Sequence, residues 1–244
     1  MIETNHGPIE ILYEDNHLLV VNKPIGLQVQ ADASDDQDLQ NELKSWIKST
    51  KNKPGKVYLS VVHRLDRPVG GVMVLAKTSK AASRLSEQIR NNTLKKGYLA
   101  VLQNSPPAEE GKLRHYLKKN RKTNIVSVVT SKADESKRAA LWYRQLQQHD
   151  AMVMVAIFLK TGRPHQIRVQ FAHEGAPLWG DHKYGGSTSG NPALFSAALE
   201  LEHPTKKERM WFTAHPAPEY PWSEFELPKP DYWEEVSGSS IESG

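Results

Sequence analysis

Two stretches of the chain concentrate side chains able to do chemistry. The first is VVHRLDRPVGGVMVLAK, Val61 to Lys77, which sets His63, Arg64, Asp66 and Arg67 between apolar runs. A carboxylate of ordinary acidity is ionised at neutral pH, so Asp66 can serve as a nucleophile or a base. Gly70 and Gly71 permit a close backbone approach beside it, and loops held by buried strands often carry function. Alone, the segment reads slightly better as a surface turn in which Asp66 pairs with Arg64 or Arg67. The second stretch is LKTGRPHQIR, Leu159 to Arg168, where Arg163, His165 and Arg168 collect cations and donors at the start of an expected helix. Helix N-terminal N–H groups would add to anion binding there; the plainer reading is capping with a buried arginine pair. Weaker signals are Lys95-Lys96-Gly97-Tyr98, in which Tyr98 is either a core aromatic or a platform for a base, and Gly180-Asp181-His182-Lys183-Tyr184-Gly185-Gly186, which reads as a structured turn.

Several chemistries are excluded or disfavoured. The 244 residues contain no cysteine, which removes disulfides, cysteine-ligated zinc, iron–sulfur clusters and thiol nucleophiles and fits a reducing cytoplasm. The histidines at 165, 173, 182, 203 and 215 lack the spacing of a zinc helix, and neither a phosphate-binding P-loop nor a dinucleotide fingerprint is present. We therefore expect no metal and no cofactor. The first residues show no secretory pattern. Ala151 to Leu159 is too short to span a bilayer and reads as a buried strand, so no membrane partner is expected. Net charge is only +4, but Lys112 to Arg138 holds nine Lys and Arg residues against Asp134 and Glu135. That local stripe suits nucleic-acid phosphates as well as a solvated hairpin face.

Elements must position these groups. Ile9–Tyr13 and His17–Asn22 read as a hairpin, ended by Lys23-Pro24-Ile25-Gly26. Residues 31–38 read as a loop. Leu39, Leu43, Trp46 and Ile47 give a short helix to Ser49. Val72–Ala76 reads as a buried strand, and Thr78 or Ser79 caps a helix through Arg90. Residues 105–124 are mainly polar. Strands are expected at Tyr98–Leu102, Ile125–Thr130, Ala139–Gln145, Met152–Leu159, Leu199–Leu201 and Met210–Thr213, and a helix at Gln166–Glu174. The order of elements predicts one catalytic-sized α+β domain over 1–225 with a poorly ordered tail over 226–244 and no separate N-terminal module.

Together, the motifs resemble those of the RluA-type family of RNA pseudouridine synthases. The family's HRLD-x-x-TSG stands here as HRLDRPVGG, its K-x-Y-x-A as Lys96, Tyr98 and Ala100, and its long TGR signature as TGRPHQIRVQFAHEGAPLWGDHKYG. His203-Pro204-Thr205 and Phe212-Thr213-Ala214 match later segments, so the resemblance runs from about Ile9 to about Pro221. It implies a central mixed, largely antiparallel sheet with flanking helices, and cofactor-free isomerisation of uridine in a structured RNA, a ribosomal or transfer RNA stem-loop. It implies Asp66 as the catalytic carboxylate, Tyr98 stacked on the uracil and Arg168 paired with Asp66. Arg64 would occupy the space of the displaced base. Arg67, Lys96, Arg163, Lys118, Lys119, Arg121 and Lys122 would meet RNA, with His63 and His165 architectural or RNA-facing. A monomer is expected.

Two departures stand out. The signature's Thr-Ser is Val69-Gly70 here, and the Leu-His-Ala before the late strand is Leu194-Phe195-Ser196. They leave open an RNA-binding protein that keeps the scaffold without activity. A hydrolase acting through Asp66 is a third reading, disfavoured because glycosidases usually need a second carboxylate.

Overall fold

The computed structural model describes residues 1–31, 37–52, 54–130, 133–186 and 190–239, and no side chain at 238–239. Much of the acidic segment after Asp32 therefore lies outside the described residues. The chain forms two compact units: Met1–Lys95 with Ser196–Ala214, and Lys96–Phe195 with His215–Gly244.

In the first unit, β1 (Glu10–Glu14) and β2 (Leu18–Lys23) form the expected hairpin. Strand β2 pairs antiparallel with β4 (Gly70–Ala76), and the two-residue β3 (Ser60–Val61) also pairs with β4. Strand β10 (Leu194–Glu202), most of which lies in this unit, pairs antiparallel with β11 (Arg209–Thr213). Helices α1 (Leu39–Thr50) and α2 (Ser79–Arg90) are capped by Asp38 and Thr78, whose side chains accept from the amides of Asn41 and Ala81. This satisfies donors that a helix start leaves open. Leu85 of α2 packs with Val20, Val74, Leu199 and Phe212 in one apolar core.

The second unit is an antiparallel sheet in the order β5 (Lys95–Leu102), β9 (Met152–Leu159), β8 (Lys137–His149), β6 (Glu110–Asn120), β7 (Ile125–Val129). Helix α3 (Gln166–His173) follows the turn after β9. Within 226–244, Tyr232–Ser239 forms helix α4, with Trp233 fully buried and edge-to-face with Phe158 at 5.5 Å. The α+β fold expected from the sequence is observed, with antiparallel pairing of β1 with β2, β2 and β3 with β4, and β10 with β11 in the first unit, and along the β5-β9-β8-β6-β7 order in the second.

Two details show how tightly the first unit is specified. Gly71 has φ +118°, and a Cβ there would lie 2.2 Å from the Ser196 carbonyl oxygen, so no other residue fits without moving backbone. Asp15 sits at the β1–β2 turn. Burial raises its pKa, but the amides of His17 and Leu18 and the ring of buried His203, 2.8 Å away, bring it down to about 2.

Gly71→Ala is expected to cost about 2 kcal/mol or more, from positive φ and backbone overlap together, in a denaturant melt. Because the folded pKa of Asp15 lies below the unfolded one, its stabilisation is present above the ordinary aspartate range. It is lost as pH falls towards about 2. Asp15→Asn should flatten that part of the stability–pH curve.

Candidate active site

The loop carrying Asp66 is built by strands on both sides and by a lysine beneath it. His63 accepts the Val74 amide through Nε2 at 3.1 Å, which places its own proton on Nδ1 and ties the loop to β4. This is the architectural part of the expectation for His63. The Val69 amide donates to the Asp66 carbonyl at 3.0 Å, closing the turn. Arg67 donates through Nε to the Gly26 carbonyl at 3.0 Å, and the Gly26 amide donates back to the Arg67 carbonyl at 2.9 Å. Two loops, 23–27 and 63–69, are thereby locked together.

Lys23, the last residue of β2, stands at that junction at 1% exposure. Its ammonium donates to the carbonyls of Leu27 at 2.6 Å, Pro24 at 2.9 Å and Arg67 at 3.3 Å. Burial drives its pKa down to about 7, while the nearby Asp66 carboxylate pulls it up. Sequence reasoning read Lys23 only as a strand end. The signal was present: Leu19, Val21 and Lys23 alternate on one face of a strand whose first two members are fully buried.

Half-buried Asp66 and exposed Arg64 and Arg67 belong to the first unit. Of the departures from the family pattern, Val69 is buried at 2% exposure, and the Ser196 hydroxyl donates to the Val72 carbonyl at 3.1 Å.

Tyr98, Lys96, Arg163, His165 and Arg168 belong to the second unit. Tyr98 sits in β5 opposite Ile157 at 5% exposure. Burial lowers the pKa of Lys96. A Cβ on Gly162 would come 3.2 Å from the Lys96 ammonium, so Lys96 lies close against the turn after β9. The turn is held by Gln166: its Oε1 accepts from the Thr161 hydroxyl at 2.7 Å and the Arg163 amide at 3.1 Å, and its Nε2 donates to the Ala140 carbonyl at 3.0 Å. Arg163 Nε donates to the Arg138 carbonyl at 3.0 Å. His165 precedes α3 with φ +52° and makes no side-chain cap, so the capping reading of this cluster fails.

Arg168 is buried at 6% exposure and grips Asp181 bidentately, Nε to Oδ2 and Nη2 to Oδ1, each at 2.7 Å. Asp181 is itself 1% exposed. The GDHKYGG turn is thus more than a turn: it supplies the carboxylate that fixes the arginine plane. Spacing alone did not reveal this, because the two residues pair side chain to side chain across a loop.

Lys118, Lys119, Arg121 and Lys122 crowd the β6–β7 tip, all exposed. The Asn120 carboxamide oxygen accepts the amides of Lys122 at 2.9 Å and Thr123 at 3.2 Å, so the tip is an ordered turn that displays the four cations. Among the described residues, no group of acidic, His or Cys side chains is arranged to hold a metal.

The pattern of the RNA pseudouridylate synthase family matches residues 17–173. The chain is 34% identical over 232 residues to ribosomal large subunit pseudouridine synthase D of Pseudomonas aeruginosa, covering 86% of this chain and 69% of that enzyme. It is also 34% identical over 210 residues to the Bacillus subtilis RNA pseudouridine synthase YjbO, covering 85% of this chain and 72% of that one. Human RNA pseudouridylate synthase domain containing 1 has the same fold, with TM-score 0.73 at 20% identity over 100% of this chain and 98% of that one. The chain belongs to the RluA-type family of RNA pseudouridine synthases. Its class is therefore that of the isomerases, acting on uridine in RNA.

The depressed pKa of Lys23 predicts a measurable slope. Between about 7 and the ordinary lysine range the unfolded chain binds more protons than the folded one, so stability should rise with pH there. Lys23→Met should flatten that rise in urea melts at stepped pH.

Proposed function

We propose that the chain converts a uridine in a structured RNA, of which a ribosomal stem-loop is the first to test, to pseudouridine, with Asp66 as the catalytic carboxylate. The observation that supports this most is the build of the Asp66 loop: strand β4, the Gly26–Arg67 lock and the buried Lys23 ammonium fix its backbone. Ribosomal RNA is favoured because relatives such as the Pseudomonas aeruginosa enzyme are named for the large ribosomal subunit. We propose that it meets this RNA in the cytoplasm and works there as a monomer. No helix among the described residues is long and apolar enough to cross a membrane.

The reaction breaks the C1′–N1 bond, turns the freed uracil and joins C1′ to C5. The C5 proton is lost and N1 regains one. Asp66 either adds to C1′ or removes the 2′ proton to give a glycal. Tyr98 offers the released base an aromatic face. Arg168 pairs with Asp66 and directs it, as the family pattern implies, from a guanidinium whose plane is set by Asp181. Arg64 fills the space left in the RNA stack, whose opening costs about a few kcal/mol. Arg67, Lys96, Arg163, His165 and the hairpin cations Lys118, Lys119, Arg121 and Lys122 hold phosphates, while His63 supports the loop.

With RNA tritiated at uridine C5, wild type should release tritium and Asp66→Ala should lose at least about 10³-fold of that rate while still binding RNA. Equal release by both would remove Asp66 from the chemistry. Binding without release on any cellular RNA would favour an inactive RNA-binding scaffold. Replacing the four hairpin cations by alanine should reduce the slope of log affinity against log salt by about one for each phosphate no longer held.

A further inference from the structure

We infer that Tyr184 is a positioning residue that couples the basic β6–β7 hairpin to Arg168. The inference rests on the reading of Arg168 as part of the active site and of the hairpin as an RNA contact. The Tyr184 hydroxyl accepts the Val126 amide at 2.9 Å and lies 2.6 Å from His165 Nδ1. Whichever tautomer His165 holds, this one oxygen joins the first turn of α3 to strand β7. The ring serves a second purpose: the Arg168 guanidinium carbon stands 5.2 Å from its centroid, within range of a cation–π contact.

The same turn supplies both constraints on Arg168. Tyr184 donates its amide to the Asp181 carbonyl at 3.1 Å, and Asp181 holds the guanidinium edge-on while Tyr184 meets its face. Gly186 is required here, because a Cβ would lie 2.5 Å from the Asp181 nitrogen. At the other end, Val126 pairs directly with Lys119 and follows Ile125, the partner of Asn120 at the tip. Below the hydrogen bond, Val126 and Leu117 of the hairpin pack with Val169, the neighbour of Arg168. Phosphates gripped at the tip thus act on a strand that is tied, by one hydroxyl and one apolar cluster, to the turn that orients Arg168.

The coupling can be read without turnover. In ¹⁵N-labelled protein, the Arg168 Nε–H signal is identified by its loss in Arg168→Lys. Tyr184→Phe keeps the ring and removes the hydroxyl. It is expected to speed hydrogen exchange at both the Val126 amide and Arg168 Nε–H about tenfold or more, with little change in the melting curve. Tyr184→Leu, which also removes the ring, should exceed it at Arg168. Faster exchange at Val126 alone, in both variants, would overturn the coupling and leave a merely local bond. In tritium release, Tyr184→Phe should lower kcat more than it raises KM. Combined with alanine at the four hairpin cations, its effect on kcat/KM should be smaller than the product of the separate effects. Strictly multiplicative effects would also overturn the coupling. Absence of tritium release from wild type would strike the proposed function instead, and the exchange comparison would still decide the coupling.

Discussion

A lysine ammonium buried to 1% exposure has to find oxygen, and Lys23 finds it in the backbone of two loops. Burying a charge without partners is prohibitive, so the carbonyls of Pro24, Leu27 and Arg67 cannot drift from it. The lock between Gly26 and Arg67 then follows, and with it the path of the chain on both sides of Asp66. A depressed pKa is the cost of that placement, and the Asp66 carboxylate partly offsets it. The course of the loop is set by the three carbonyls that the Lys23 nitrogen reaches.

The second unit solves a similar problem in a different way. Arg168 is also buried, but its partner is a side chain, Asp181, in bidentate geometry. Breaking one member of such a pair leaves an uncompensated charge, which is why Arg168 and Asp181 have to be considered as one group. The GDHKYGG turn, which presents Asp181 and Tyr184 together, is built around glycines that admit its close approaches.

The parts of the fold legible in the sequence were those governed by local pattern. The β1–β2 hairpin, the capped helices α1 and α2 and the buried strand β9 lie close to where alternation, helical spacing and cap residues place them. Strand β6 was not read, because only Leu113 and Leu117 of its residues are buried and its remaining side chains look like loop polarity. Helix α4 was hidden in a stretch rich in proline and serine; Trp233 was its only strong apolar signal, and that residue packs on Phe158, far away in sequence. At the site, the motifs marked segments of the chain but not the side-chain partners within them. Lys23 looked like strand punctuation, and Asp181 and Tyr184 looked like turn residues, since their roles come from contacts that spacing does not encode.

The central claim is that Asp66 performs the isomerisation. It is tested most directly by mapping pseudouridine across cellular RNA in a strain deleted for this protein and complemented with wild type or with Asp66→Asn, which preserves shape and removes charge. Specific sites are expected to vanish on deletion, return with wild type and stay absent with Asp66→Asn at equal protein level. Restoration of the same sites by Asp66→Asn would contradict the claim.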